Sequence, residues 1–256
     1  MFGRLALLSR VALFRRRALC RGGSLRRDCA LFGRSALRGR RELSRLATET
    51  LVETDATRQA LREVLYCERI LAKTGDSVLR ETLGNTKTIN AWAHFPEGDV
   101  YDPDSGGQWY YHCHPPEEAA TEHGHFHCFV RPEGRDGPVH HLVGVGVDAY
   151  GRLLRLFTVN HWVVGDDWLG ADATIALLPR FDLQLGRPSY LVNRWLTAVV
   201  RFYSADIADL IAARDRTIEA HLPEDPDAAR ADRALEVTSE VAADLGEAAG
   251  RGSVET

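Results

Sequence analysis

The sequence predicts an α+β fold in which an antiparallel sheet of about four or more strands carries a histidine cluster, packed by an N-terminal helix and a long C-terminal helix. Three observations lead there. A 3.6-residue apolar period appears at either end of the globular part, and short, turn-rich connections separate branched and aromatic runs in its middle. In addition, nine of the ten histidines fall between His94 and His161.

Each element has its own signal. After Thr54 and Asp55, either able to cap a helix, apolar side chains recur at Leu61, Val64, Leu65 and Leu71, with Glu68 the one miss, and the helix should end near Gly75. A Gly-, Pro- and Asp-rich stretch from about Thr86 then leads into a strand at Gln108–His114. A second strand is expected at Glu122–Arg131. Beyond the Pro132–Pro138 turn lies a third, Val139–Asp148, and Asp148-Ala149-Tyr150-Gly151 reads as a tight turn into a fourth, Leu153–Val159. Short connections between consecutive strands make the sheet antiparallel. A short helix is expected over Asp172–Leu178. A long one should run from Ser189 to His221, bracketed by Pro188 and Pro223 and buried along Val192, Trp195, Leu196, Val199, Tyr203, Ile207 and Leu210.

Composition divides the chain. Of 256 residues, 45% are hydrophobic and 27% charged, the balance of a soluble globular protein. Residues 1–45 hold 13 of the 32 Lys+Arg against two acids, Asp28 and Glu42, a net +11 that leaves −15 on the rest of a chain of net charge −4. Residues 1–47 therefore read as an Arg-rich extension outside the fold, either a targeting segment or upstream sequence translated from a misassigned start. Residues 48–222 read as a single α+β domain, and 223–256 as an acidic, Ala-rich tail. An acidic body repels a phosphate backbone, so no nucleic-acid partner is expected. No apolar run approaches the roughly 18 residues of a membrane span, so none is expected there either. Five scattered cysteines without a CxxC pair make a poor disulfide framework and point to a reducing, cytoplasmic setting.

The histidines carry the chemistry. Five lie in two short segments, YHCH at 111–114 and EHGHFH at 122–127. Alternation along a strand puts His112 and His114 on one face, and His123, His125 and His127 on one face of the next strand. His141 could join from the third strand, on the face carrying Val143, Val145 and Val147. Imidazole is the commonest metal ligand, so His112, His114, His123, His125 and His127 are the candidate ligands of a transition metal ion: iron, zinc or copper. Residues two apart on a strand can converge on one ion, whereas His123 and His127 cannot both do so. The remaining histidines would then orient ligands or hold a second ion. Glu117, Glu118, Glu122, Asp99, Asp102 and Asp104 are the nearby acids. Cys113 and Cys128 alternate away from the cluster and should pack in the core. Gly144-Val145-Gly146 lacks the third glycine and the following helix of a dinucleotide loop.

Together YYHCHP, EHGHFHCF, VGVDAYGRLLRLFTVNHW and the RWL-containing final helix resemble an uncharacterised bacterial protein family, a domain of unknown function, over about residues 50–220. The resemblance implies that the Arg-rich start lies outside the common domain, and it brings no activity with it. The leading expectation is a metal-binding protein with a His-rich site on a sheet face, able to act as a metal-dependent enzyme on a small-molecule substrate. The alternatives are a non-enzymatic ligand-binding or scaffold module with hydrogen-bonded histidines, and a metal-free enzyme using a histidine as general base.

Overall fold

In a computed structural model, residues 55–115 and 121–246 are described. The Arg-rich extension, Glu117 and Glu118 lie outside the described residues. Helix α1 occupies 55–73 and buries Val64, Cys67 and Leu71, as its period requires. Glu68, the miss in that period, accepts a hydrogen bond from Trp195 Nε1 at 3.1 Å. Helix α2 (Val78–Leu83) follows, capped by the Ser77 hydroxyl.

Six strands come next: β1 (Phe95–Tyr101), β2 (Gly107–His112), β3 (Glu122–Val130), β4 (His140–Asp148), β5 (Leu153–Val159) and β6 (Val237–Ala242). They lie side by side in chain order, every pair antiparallel. One face is apolar: Trp109 and Tyr111 of β2, Phe126 and Cys128 of β3, Val143, Val145 and Val147 of β4 and Leu156 of β5 belong to the core cluster. Val64 and Leu71 of α1 belong to the same cluster. Between β5 and β6 the chain forms α3 (His161–Val164), α4 (Ala171–Ile175), a 3₁₀ turn at Leu178–Arg180, α5 (Tyr190–Phe202), α6 (Ser204–His221) and α7 (Pro226–Ala231). The core takes Val192, Trp195, Leu196 and Val199 from α5, and Ile207, Leu210 and Ile211 from α6. Cys128 is fully buried in it and Cys113 is also buried, as expected.

Three expectations need correction. The long C-terminal helix is two helices: α5 ends at Phe202 and Tyr203, with φ −93° and ψ 21°, breaks it before Ser204. The period runs through the break because Val199, Tyr203 and Ile207 keep four-residue steps across it. Secondly, the short helix expected over Asp172–Leu178 stops at Ile175, and Leu178 opens the 3₁₀ turn. Thirdly, residues expected as a solvated tail or a loosely attached helix form α7 and β6. The Thr158 hydroxyl meets those of Thr238 and Ser239 at 2.7 and 2.6 Å, and Asn160 Nδ2 donates to the carbonyls of Ala229 and Leu235, so this segment is fastened to β5 and α3. β6 needs few apolar residues because it is an edge strand with only Thr238 buried.

Candidate metal centre

The second face of the sheet carries the histidines. In the β2–β3 ladder His112 pairs directly with His125, and Tyr110 with His127. Paired residues project to the same side, which brings His112, His125 and His127 together, with ring centroids 4.6–5.1 Å apart. One ring nitrogen from each lies within 4.8 Å of the others, and all three side chains are buried. His112 Nε2 and His125 Nε2 are 2.8 Å apart.

Two strand irregularities decide which other groups join them. A register shift between Glu122 and Gly124 breaks the alternation of β3. Glu122 takes the place beside His125, its Oε1 2.8 Å from His125 Nδ1. His123 turns to the apolar face, where its Nδ1 lies 2.6 Å from the Tyr111 hydroxyl. The expectation that His123, His125 and His127 share one face is therefore corrected: the bulge exchanges His123 for Glu122. A second shift, between Cys128 and Phe129, separates His141 from Val143, Val145 and Val147. His141 does reach the cluster, its Nε2 3.0 Å from His127 Nδ1, but on the face opposite those valines.

His114 lies beyond the end of β2 and is exposed, its ring centroid 5.3 Å from His112, 5.0 Å from His125 and 4.2 Å from Trp92. It stands at the rim of the triad. His94 stacks on Tyr110 and bonds Asp99 at 3.0 Å. Asp102 accepts backbone N–H groups from Asp104, Ser105 and Gln184 and so serves its loop.

Room on this face comes from Gly144 and Gly146, which pair with His127 and His125. A Cβ on Gly144 would come within 2.4 Å of the Phe157 ring, and one on Gly146 within 2.5 Å of Glu122 Oε2. The alternating glycines thus make space for a ring and a carboxylate, the physical meaning of the Val-Gly-Val-Gly-Val run.

The electrostatics favour neutral imidazoles at His112, His127 and His141. Burial, reinforced by His125, His114 and His94, depresses His112 to about 3. Burial and the neighbouring histidines push His127 well below its ordinary value, and burial with Arg214 takes His141 to about 3. Neutral imidazole is the ligating form. Burial alone would raise Glu122, but hydrogen bonds from His125 and Arg155 outweigh it and hold the carboxyl at about 2. Arg155 Nε bonds Glu122 at 2.6 Å, and its NH1 group bonds Glu240 of β6 at 2.7 Å.

The hydrogen bonds also specify tautomers. With ionised Glu122 as acceptor, His125 carries its proton on Nδ1 and leaves Nε2 as a lone pair. His112 Nε2–H then donates to it. At His127, Nδ1 is engaged by His141, while Nε2 is buried without any hydrogen-bond partner. An unpartnered buried polar atom costs about 1–3 kcal/mol.

A pocket of about 280 Å³ lies against the triad, walled by Trp92, Phe157, Val159, Trp162 and Val163, with Arg155, Arg233 and Glu236 its charged groups beyond the histidines. Trp92 is held with φ 69°, a conformation costing a bulky residue about 1–3 kcal/mol. Its N–H donates to the Cys113 carbonyl at 2.9 Å, and its ring, 56% exposed, stands 5.8 Å from that of His112. Sequence reasoning found the histidines and Glu122 but missed Arg155, Phe157 and Arg233, whose approach depends on the β4–β5 and β5–β6 pairings and carries no local signal.

Among the described residues no helix is long and apolar enough to cross a membrane. No curated protein and no solved structure matches the chain. Residues 58–243, which span the sheet and both irregular strands of the cluster, match the family model described as Domain of unknown function (DUF6969), and the chain belongs to that family.

Proposed function

We propose that this protein binds one first-row transition metal ion through His112, His125 and His127. The observation that carries this reading is His127 Nε2, fully buried, without a partner and set among two other imidazoles. An ion satisfies that atom and takes the place of the proton between His112 and His125, which moves to His112 Nδ1 so that all three rings ligate as neutral imidazoles. Donors about 2.1 Å from one ion stand about 3.0 Å apart at a right angle, so the 2.8 Å pair needs to open only slightly. Glu122 orients His125 and His141 orients His127, the usual outer support of ligating histidines. Three imidazoles leave coordination positions open toward the pocket, so the bound ion can polarise a substrate or activate a water there, and the protein is then a metal-dependent enzyme. Elemental analysis of untagged protein should give about one ion per chain after incubation with iron, zinc or copper, and far less in His127→Ala. Wild-type protein that stays metal-free after all three additions refutes the reading.

The direct His112–His125 hydrogen bond favours a second reading, a ligand-binding module with a metal-free imidazole network. It requires a thermal midpoint indifferent to metal and to chelator, whereas metal binding raises the midpoint.

A further inference from the structure

We infer that the pocket over the triad takes a small aromatic carboxylate; this rests on the metal reading above and extends it to the ligand class. The charge pattern supplies the first step. Arg155 is committed to Glu122 and Glu240. Arg233, exposed at the pocket wall, has no hydrogen bond or ion pair among the described residues, and its guanidinium carbon lies 5.1 Å from the centre of the Trp162 ring. It is therefore a cation held near its place by an aromatic ring, with its donors free for a bidentate acceptor.

The balance of charge then makes the anion conditional on the metal. Two guanidinium groups, Arg155 and Arg233, face three carboxylates, Glu122, Glu236 and Glu240, which leaves the surroundings net acidic by one charge. Imidazole ligates as the neutral ring, so a divalent ion on the triad keeps its full charge and reverses that sign. An anion is repelled from the metal-free pocket and attracted to the loaded one.

The walls specify the body of the ligand. Trp92, Trp162 and Phe157 line the pocket, and Trp92 is brought there by a backbone conformation that large side chains rarely adopt. An exposed indole, Trp92, and a half-buried one, Trp162, beside a metal-loaded floor suit a flat ring stacked at its face and charged at one edge. A volume of about 280 Å³ limits the ligand to roughly one ring with its substituent.

Calorimetric titration of the full chain with benzoate, benzamide and acetate, before and after zinc loading, tests this. Benzoate should bind the zinc-loaded protein about tenfold or more tighter than either benzamide or acetate, and tighter than it binds the metal-free protein. Arg233→Ala and Arg233→Gln should each weaken benzoate about tenfold while leaving zinc content and benzamide binding unchanged. Trp92→Ala should weaken benzoate and benzamide alike. Equal affinity for benzoate and benzamide, equal binding with and without zinc, or no effect of the Arg233 variants overturns the inference while zinc content at one per chain leaves the metal reading standing. Failure to take up zinc, iron or copper overturns both.

Discussion

His112 and His125 face each other across the β2–β3 ladder with their Nε2 atoms 2.8 Å apart, so that a single proton lies between two buried rings. The two Nε2 atoms cannot both carry a proton at that distance, and in the proposed metal-bound form a cation competes with the shared proton for the same two lone pairs. The behaviour of the site under acid, metal and mutation follows from that competition.

Acid should destabilise the metal-free protein well above the carboxylate range. His112 and His141 titrate near 3 when folded and near 6.5 when unfolded, so between those values the unfolded chain binds more protons. Their contribution is fully present above about pH 6.5 and is lost as the pH falls toward 3. Glu122, at about 2 folded against 4.5 for a free carboxyl, adds a loss of the same sign below about pH 4.5. Urea midpoints between pH 7.5 and pH 4.5 should fall by the equivalent of a few kcal/mol. A flat profile across that window would show that the buried histidines take up protons freely.

Metal should stabilise the wild type and not the variant that lacks the orphan ligand. At a free ion concentration about a hundredfold above the dissociation constant, binding to the folded state adds about 2.7 kcal/mol. Thermal unfolding with zinc should therefore shift upward by several degrees in the wild type, and not in His127→Ala. His221, which bonds Asp232 outside the cluster, provides the control, since His221→Ala should keep the full shift.

In the proposed site His141 acts through His127 rather than by touching the ion. His141→Leu removes the acceptor that holds the proton on His127 Nδ1, and metal affinity should drop about 10–100-fold. His141→Gln keeps an acceptor and should recover part of the loss. The visible spectrum of the cobalt form reads the ligand field directly, so it separates a changed ligand geometry from a general loss of stability.

The paired glycines of β4 should differ in what they break. Gly144→Ala drives a methyl into the Phe157 ring and should cost about 1–3 kcal/mol in denaturant unfolding. Gly146→Ala pushes instead on Glu122 Oε2, so it should weaken metal binding beyond its effect on stability by loosening the hold on His125. Equal effects of the two changes on metal affinity would contradict this division.

Much of this was readable before any coordinates. Strands β2 to β5 and helix α1 declare themselves because each buries a regular stripe, and alternation places His125 and His127 on one face of β3, while the β2–β3 register that brings His112 to them has no sequence signal. The misses share a cause. β1 holds Pro96 and Gly98 and half of β6 is polar, and both survive as strands because an edge asks for pairing on one side only. The bulges near His123 and Leu142 invert alternation locally, which a period-two pattern cannot register, and so Glu122 and His141 exchange faces with their neighbours. The break at Tyr203 leaves the helical period intact and is set by what α5 and α6 each pack against.

The fastening of β6 along β5 ties completion of the hollow to the segment made after α6. Arg233, Glu236 and Val237 form one bank of it, and Glu240 steadies Arg155 from the same strand. A nascent polypeptide released only as far as Leu222 would own every candidate ligand yet leave them under an unfinished roof, open to bulk water. Enclosure thus depends on the outermost strand, and any influence that peels it away would unseal the chamber and free Arg155 from Glu240 while leaving the triad paired across β2 and β3.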